Sequence, residues 1–353
     1  MQIGIEPLTL QKRYPLTISR GTSTGSRNLL VSVRHDGITG IGEFCPVSQV
    51  TPPENAETAT IQLTTAAPLL TPLAPWEMQR IEEVTADIGR AAFCALEMAL
   101  WDWTGKRLGV PVWQLLGADR TRIVPTSITI GILPPDAARD RATEYLSRLQ
   151  PRSLKIKLGS PSGLDADCAM FAAVREAVPL SVALRVDANG GWKTVGDAQK
   201  MLRWLAEQGV EYVEQPLPHG QEADLPPLFA DRPLPIFLDE SCKTPSDVPT
   251  IADRADGVNL KLLKAGGIRA GMRLIHTARA HGLQVMMGCF SESSLAISAG
   301  AALSAYADHL DLDSHLNLLP DPFTGLSWSK GCVLPADSPG LGVTPSATKG
   351  ENV

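Results

Sequence analysis

The sequence lacks the marks of membrane, exported and nucleic-acid-binding proteins. It has no apolar run of 18 residues and no signal-like N-terminus, which predicts a soluble, cytoplasmic protein. It has no long basic run and a formal net charge of −6, so nothing in it favours nucleic acid or an anionic membrane as a partner. We therefore expect a small-molecule ligand.

Paired cysteines are also missing. The six cysteines lie far apart without a C-x-x-C motif, which argues against a zinc site and a disulfide framework and predicts reduced, mostly buried thiols: Cys45, Cys94, Cys168, Cys242, Cys289 and Cys332. The glycine pairs at 190–191 and 266–267 do not fit the nucleotide-binding patterns G-x-G-x-x-G or G-x-x-x-x-G-K-[ST]. They are predicted to lie in turns and at helix starts.

The N-terminal region alternates apolar and polar residues. This alternation predicts antiparallel strands over 1–10 and 29–44, with a hairpin turn at His35-Asp36-Gly37. The Ser-, Thr- and Gly-rich segment 19–28 is predicted to be a loop. Apolar residues at three- and four-residue spacing predict a helix over 91–107. An α+β cap of about 115 residues is the simplest account.

Strand-like runs then recur every 22 to 29 residues with helical patterns between them. They lie at 127–132, 154–158, 183–188, 212–215, 235–240, 257–262, 284–289 and 309–314. Eight such units favour a (β/α)8 barrel, although a doubly wound open sheet shares the alternation. The last helix is poorly marked, which predicts a modified barrel. The predicted domains are a cap (1–115), a barrel (116–325) and a C-terminal segment (326–353) that returns to the cap and ends in a frayed tail.

Three acidic residues each end an apolar run. Asp187, Glu214 and Asp239 are 27 and 25 residues apart, which is the length of one strand plus one helix. Successive units of a parallel barrel would therefore deliver all three carboxylates to the same rim. Hard oxygen ligands that converge in this way predict a Mg²⁺ site.

Lysines interrupt two of the apolar runs. Lys155 and Lys157 lie two apart in the second strand and point the same way, and Lys261 lies in the sixth strand with Lys264 after it. A charge among Leu, Ile and Val is costly unless it has a function. Strands two and six stand on opposite sides of a barrel, so Lys157 and Lys261 would face each other as the two bases of a racemase or epimerase. Three nearby cations are predicted to lower the pKa of these lysines: Lys155 beside Lys157, Lys264 near Lys261, and the metal ion itself.

Several stretches resemble the enolase superfamily, muconate-lactonizing subgroup, and within it dipeptide epimerases of the L-Ala-D/L-Glu type. They are LKIKLG, LRVDANGGW, YVEQP, LDES, VNLKLLKAGG and LDLD, with AAFCALEMALWD before the barrel. The resemblance implies an α/β fold, a modified TIM barrel with a capping domain. It also implies Mg²⁺ on Asp187, Glu214 and Asp239, and proton transfer by Lys157 and Lys261 through an enediolate at the α-carbon of the C-terminal residue. An isomerase of peptidoglycan recycling is the expected activity.

Asp311 and Asp313 in HLDLDSH project from alternate positions at the mouth of the barrel. Two carboxylates there can hold the free α-ammonium of a dipeptide, and dipeptide epimerases resemble this chain in having Asp-x-Asp. A solvated strand end is the alternative interpretation. Glu240 and Glu292 are expected to support the rim.

The resemblance implies further substrate contacts. Lys155 matches a cation on the substrate carboxylate, and Thr129 matches a residue near that carboxylate. Cys289 would line the pocket, and Arg20 would meet a side-chain carboxylate of the second residue. A buried structural cysteine and a solvated loop arginine are the competing interpretations of the last two.

Other activities use the same metal and lysines. They are o-succinylbenzoate synthase, N-acylamino acid racemase and, less favoured, cycloisomerase. A metal-stabilised scaffold without catalysis is the non-enzyme alternative. The cap loop at 45–56 has no charged signature, so the preferred dipeptide stays open. A homo-oligomer is expected.

Overall fold

The computed structural model describes residues 1–346 and begins with a three-stranded antiparallel sheet. Its strands, in spatial order, are β1 (Gln2–Ile18), β2 (Gly21–His35) and β3 (Ile38–Phe44). The β2–β3 hairpin turns at Asp36 and Gly37, whose φ angles are 47° and 74°. Two positive φ angles match the twist of a two-residue hairpin, which confirms the predicted turn.

The loop predicted at 19–28 is wrong for most of its length. β2 begins at Gly21 and pairs with the end of β1 through Ile18↔Gly21 and Thr17↔Thr22. Side chains there are largely exposed, so the small polar composition indicated exposure correctly. Backbone pairing completes the strand without burial. The result is a two-stranded ribbon with Ser19 and Arg20 at its tip.

Four helices complete the N-terminal region: α1 (Ala56–Leu70), α2 (Met78–Val84), α3 (Arg90–Leu108) and α4 (Val112–Leu115). The helix predicted at 91–107 is confirmed as α3, which ends at Gly109 in the left-handed conformation (φ 74°). α3 packs tightly on β3, because a Cβ at Gly40 would overlap the carbonyl of Ala99.

Eight parallel strands form the second sheet, in the order β11 to β4. They are β4 (Ser127–Ile130), β5 (Ser153–Lys157), β6 (Ala183–Asp187), β7 (Val210–Glu214), β8 (Ile236–Leu238), β9 (Gly257–Leu260), β10 (Gln284–Gly288) and β11 (His309–Asp311). A parallel bridge between Thr126 and Leu310 links the two end strands. The predicted fold class is therefore confirmed. All five residues of β5 are buried, as expected for a sheet covered on both faces.

Helices follow the strands on the outside of the barrel: α5 (Pro135–Leu149), α6 (Leu164–Ala177), α7 (Val195–Glu207), α8 (Leu225–Ala230), α9 (Val248–Ile251), α10 (Leu262–Ala265), α11 (Ile268–Ala280) and α12 (Ser294–Leu303). β11 leads instead into a single 3₁₀ turn, Ser314–Asn317. The predicted irregularity of the last unit is thus confirmed. None of the helices in residues 1–346 is long and apolar enough to cross a membrane.

The chain after the barrel forms four short strands: β12 (Phe323–Thr324), β13 (Ser327–Ser329), β14 (Cys332–Leu334) and β15 (Thr344–Pro345). It also contacts α3 and α4. Leu341 N donates to Asp102 Oδ1 at 2.8 Å, and Trp113 Nε1 donates to the Ala336 carbonyl at 3.0 Å. The domain limits at 115 and 325 stay predictions, and residues 347–353 of the expected frayed tail lie outside the described part.

Two buried carboxylates from the N-terminal region cap helices of the barrel. Glu43 on β3 accepts hydrogen bonds from Ser293 N at 3.1 Å and Ala296 N at 3.3 Å, at the start of α12. Glu97 on α3 accepts from the backbone N–H groups of Ile268 and Arg269, which begin α11. Each carboxylate satisfies N–H groups that lack partners within their own helix.

Candidate active site

Strand register places the predicted acidic residues side by side at the carboxyl end of the barrel. Lys157 on β5 is paired in register with Asp187 on β6, which is paired with Glu214 on β7. Glu214 pairs with Phe237 on β8, and Asp239 follows two residues later. All three carboxylates are fully buried. Because the strands are parallel and adjacent, carboxylates that lie about 25 residues apart in the sequence form one row of neighbouring side chains.

Each of these carboxylates is ion-paired with a lysine. Lys157 Nζ lies 2.6 Å from Asp187 Oδ2, and Lys261 Nζ lies 2.7 Å from Asp239 Oδ2. Glu214 contacts the ammonium of Lys155. No three acidic, histidine or cysteine side chains in residues 1–346 form a cluster ready for a metal ion.

The electrostatics of the row are uneven. Burial and the neighbouring Asp187 charge raise the pKa of Glu214 to about 7. Burial also opposes ionisation of Asp239, but Lys261 and Lys264 outweigh it and hold the pKa of Asp239 well below its usual value. Burial likewise opposes the ammonium of Lys261, yet Asp239 and then Glu214 raise its pKa above the usual value. The predicted lowering of the lysine pKa included the charge of the metal ion, and it stays a prediction.

The donor set nevertheless fits Mg²⁺. Three carboxylates on adjacent strand ends are hard oxygen ligands of the kind that this ion takes. Two further buried oxygens beside them, Asn189 Oδ1 and Glu240 Oε2, have no hydrogen-bond partner among residues 1–346. A divalent cation held by Asp187, Glu214 and Asp239 would also offset the negative charge that raises the Glu214 pKa.

Sequence reasoning missed two asparagines that hold these carboxylates, and it did not predict the contact of Lys264 with Asp239. Asn259 Nδ2 donates to Glu214 Oε1 at 2.6 Å, and Asn189 N donates to Asp187 Oδ1 at 2.8 Å. Lys264 Nζ binds both the side chain of Asp239, at 2.5 Å, and its carbonyl, at 2.6 Å. A signal for Asn259 existed, since it lies two residues before Lys261 in an apolar strand and so faces the same way.

Lys157 and Lys261 line one cavity of about 360 Å³ between the barrel and the ribbon tip. Their strands, β5 and β9, are four apart in the barrel order. The Lys261 ammonium also lies 4.9 Å from the ring centroid of Phe290, another wall residue. Asp187 and Asp239, which are ion-paired with these two lysines, are not wall residues themselves. The Lys157 and Lys261 side chains thus reach the same cavity from different sides of the barrel, next to the buried carboxylates.

Asp311 and Asp313 lie on the same cavity wall. Thr129 N donates to Asp313 Oδ2 at 2.6 Å, and Thr129 Oγ1 lies 3.3 Å from Asp311 Oδ1. Cys289 Sγ donates to the Asp311 carbonyl at 3.2 Å. Burial, followed by the Asp311 charge, raises the pKa of Asp313 to about 6. Thr129 and Cys289 therefore hold the acidic pair, as well as lining the pocket.

Lys155 is not brought to the cavity wall. Its side chain is 1% exposed, and its ammonium contacts Glu214, Asp311 at 2.6 Å and Asp187 at 3.5 Å. These carboxylates more than offset the cost of burial and raise the Lys155 pKa well above its usual value. In this arrangement Lys155 links Asp187 and Glu214 to Asp311.

Arg20 and Glu240 join the ribbon tip to the barrel. Arg20 Nη1 lies 2.8 Å from Glu240 Oε1 and donates to the Asn189 carbonyl at 3.0 Å. Gln49, from the 45–56 cap loop, donates to the same Glu240 oxygen at 3.1 Å. Glu292 instead accepts from Phe290 N at 2.8 Å, and burial raises its pKa to about 8. Arg20 thus already has a carboxylate partner.

Known proteins resemble the chain over nearly its whole length. Residues 4–117 match the mandelate racemase / muconate lactonizing enzyme N-terminal domain, and residues 137–349 match the enolase C-terminal domain-like family. A hydrophobic dipeptide epimerase from Roseobacter litoralis is 49% identical, covering 97% of this chain and 98% of that protein.

Two solved structures show the same fold. The L-Ala-D/L-Glu epimerase from Bacillus subtilis, in a substrate-liganded complex, has a TM-score of 0.92 and 28% identity, with 99% of each chain covered. The dipeptide epimerase from Enterococcus faecalis V583, complexed with Mg and L-Leu-L-Tyr, has a TM-score of 0.90 and 30% identity, covering 97% of this chain and 99% of that one.

Proposed function

Because the chain belongs to the mandelate racemase / muconate lactonizing enzyme family of the enolase superfamily, we propose that it is a Mg²⁺-dependent dipeptide epimerase. It is an isomerase that inverts the configuration at the α-carbon of the C-terminal residue. The observation that carries this proposal is the pair Lys157 and Lys261, which reach one cavity from strands four apart, above three buried carboxylates.

The two lysines exchange roles with the direction of the reaction. One amine removes the α-proton, and the ammonium opposite returns a proton to the other face. Each lysine has a carboxylate partner, Asp187 for Lys157 and Asp239 for Lys261, which holds its nitrogen in place. Mg²⁺, when held by Asp187, Glu214 and Asp239, supplies positive charge where negative charge develops on the substrate carboxylate.

The acidic pair would receive the free ammonium of the dipeptide. Asp313 is on the cavity wall with no lysine or arginine within ion-pair distance among residues 1–346, whereas Asp311 is paired with Lys155. A half-buried carboxylate without an ion-pair partner is the natural site for a substrate cation. Lys155 would contact the substrate carboxylate only if it released Asp311. Substrates acylated at nitrogen have no ammonium for Asp313, which favours dipeptides over succinylbenzoate or N-acyl amino acids.

The side chain of the second residue would be neutral and apolar. Leu16, Ile18 and Ile128 line the cavity, and Arg20, the expected partner of an acidic side chain, is paired with Glu240. Turnover of L-Ala-L-Leu and L-Ala-L-Glu can be compared directly. We expect a higher kcat/KM for L-Ala-L-Leu, and the reverse order would favour the acidic dipeptide and a place in peptidoglycan recycling.

Deuterium exchange in D₂O tests the two-base reaction. The wild type should exchange the α-proton of both diastereomers and interconvert them. Lys157→Ala and Lys261→Ala should each lose interconversion by about 10²–10⁴-fold, while the remaining lysine still exchanges the proton of one diastereomer. Lys200→Ala, on the exposed side of α7, is the control. Full interconversion by both active-site variants would defeat the scheme, and no exchange by the wild type would favour a non-catalytic scaffold.

We propose a cytoplasmic location, supported by the six cysteines, which are all free thiols. We also propose a homo-oligomer. Exposed apolar side chains on the N-terminal region support this: Ile61, Leu69 and Trp76 are 61%, 54% and 56% exposed. Light scattering coupled to size-exclusion chromatography measures the molar mass, and a value near 37.7 kDa would contradict the proposal.

A further inference from the structure

One cation of the cavity wall, Lys12, has no carboxylate partner among residues 1–346. The cavity wall carries five cationic side chains, and within residues 1–346 four of them have a carboxylate within ion-pair distance: Arg20, Arg148, Lys157 and Lys261. The fifth, Lys12, has no such partner in the same part of the chain. Its ammonium donates to Ser23 Oγ at 3.1 Å. A half-buried ammonium with a single hydroxyl partner retains capacity for a ligand.

The position of Lys12 on β1 is that of an inward-facing residue. Along this strand Leu10, Lys12, Tyr14 and Leu16 are buried or half-buried, and Arg13 between them is exposed. Alternate residues of a strand point to opposite faces, so Lys12 faces inward in a row with Leu10, Tyr14 and Leu16, and of these three Leu16 also lines the cavity. Burial of a lysine in such a row is costly and needs a compensating role.

Lys12 lies toward the end of the cavity that holds Asp313. The backbone of Lys12 bridges Leu318, and Tyr14 N donates to Asn317 Oδ1 at 3.0 Å, so this part of β1 rests on the segment that follows Asp313. Burial lowers the Lys12 pKa, and the nearby Cys45, Cys289 and Asp313 act in the opposite sense. The opposite end of the ribbon, at Arg20, rests on Asn189 beside the metal-ligand row.

We propose that Lys12 is a specificity residue for the first residue of the dipeptide, which it selects against a cationic side chain and in favour of a carboxylate. This inference rests on the proposed function, because the ammonium held at Asp313 places the first residue beside Lys12. A second positive charge there would be repelled by the Lys12 ammonium, whereas a carboxylate would pair with it.

The test compares first-residue preference at a constant second residue. L-Glu-L-Leu, L-Ala-L-Leu and L-Lys-L-Leu are incubated in D₂O with the wild type, Lys12→Met, Lys12→Arg and Arg13→Met. We expect the ratio of kcat/KM for L-Glu-L-Leu over L-Lys-L-Leu to fall by at least about tenfold in Lys12→Met, mainly through KM. Lys12→Arg should keep most of the ratio. Arg13→Met carries the same charge change on the outer face and should leave the ratio as in the wild type.

The outcomes separate two failures. If the wild type exchanges these dipeptides but Lys12→Met keeps the wild-type ratio, the role of Lys12 is overturned and the proposed function stands. An equal change of the kcat/KM ratio in Arg13→Met also overturns that role, because the overall electrostatic field of the N-terminal region would then explain the effect. If Lys12→Met does not fold, loss of the ratio in Lys12→Gln decides in its place. Absence of exchange by the wild type with every dipeptide would overturn the proposed function itself.

Discussion

Replacing Lys264 by Met should destabilise the protein in a way that Mg²⁺ partly reverses. The Lys264 side chain is fully buried and binds Asp239 through both its carboxylate and its carbonyl, at 2.5 and 2.6 Å. Removing one partner of a buried ion pair costs about 3–5 kcal/mol, because the other charge stays buried. Lys261 still neutralises part of the Asp239 charge, so we expect a loss near about 3 kcal/mol.

Thermal unfolding in EDTA measures this loss. An unfolding entropy of about 2.1 cal/mol/K per residue gives about 1.3 °C per kcal/mol for a chain of this size, so the Tm should fall by about 4 °C. Mg²⁺ should then raise the Tm of Lys264→Met more than that of the wild type, since the variant has one positive charge fewer near Asp239. Lys200→Met makes the same change at an exposed position, and it should alter neither the Tm in EDTA nor the increase in Tm that Mg²⁺ causes.

Two results would refute this reasoning about Lys264. A Tm within 1 °C of the wild type in EDTA would mean that the pair with Asp239 contributes little to stability. A smaller response to Mg²⁺ in Lys264→Met than in the wild type would mean that the lysine supports ion binding and does not oppose it.

Three further predictions concern other sites. Burial and then Arg185 lower the pKa of His309 to about 4, so as the pH falls from about 6.5 toward 4 the unfolded chain binds a proton before the folded protein does, and the folded protein loses stability. The loss due to His309 should reach about 1–2 kcal/mol at pH 5 and be absent in His309→Phe. Urea unfolding at pH 8 and pH 5 measures it. Asp313→Asn should raise KM for dipeptides by about 10–100-fold with a smaller change in kcat, and an unchanged KM would favour acylated substrates. Glu43→Gln should cost about 1–3 kcal/mol in urea unfolding at neutral pH, because the amide turns a donor toward the N–H groups of α12, and wild-type stability would contradict that role.

Much of the site follows from the sequence because polar residues interrupt apolar runs at the strand ends. Asp187, Glu214 and Lys157 lie next to one another in the sheet register, as their strand positions predict. The eight strands were predictable for the same reason, since each is a short apolar run between helical patterns. The metal-ligand and acid/base roles of these residues stay proposals.

Other contacts could not be predicted because they join distant parts of the chain. Gln49 from the 45–56 cap loop and Arg20 from the ribbon tip both bind Glu240. The residues around each of them in the sequence are mostly small and polar and show no periodic pattern. Lys12 is different, since its inward-facing place among alternating apolar residues of β1 follows from the sequence alone. The strand within 19–28 was not predicted, because a small, polar composition indicates only that side chains are exposed, whereas strand pairing depends on backbone hydrogen bonds.

The carboxylates of Glu43 and Glu97 have a consequence for how the molecule comes apart. Each belongs to one half of the polypeptide and completes the first turn of a helix in the other half. If the part of the chain up to α4 were separated from the barrel, the N–H groups at the starts of α11 and α12 would lose these acceptors, and both carboxylates would lose their backbone donors. Melting should therefore proceed as one event across both halves, with no long-lived state in which the barrel survives without its cover.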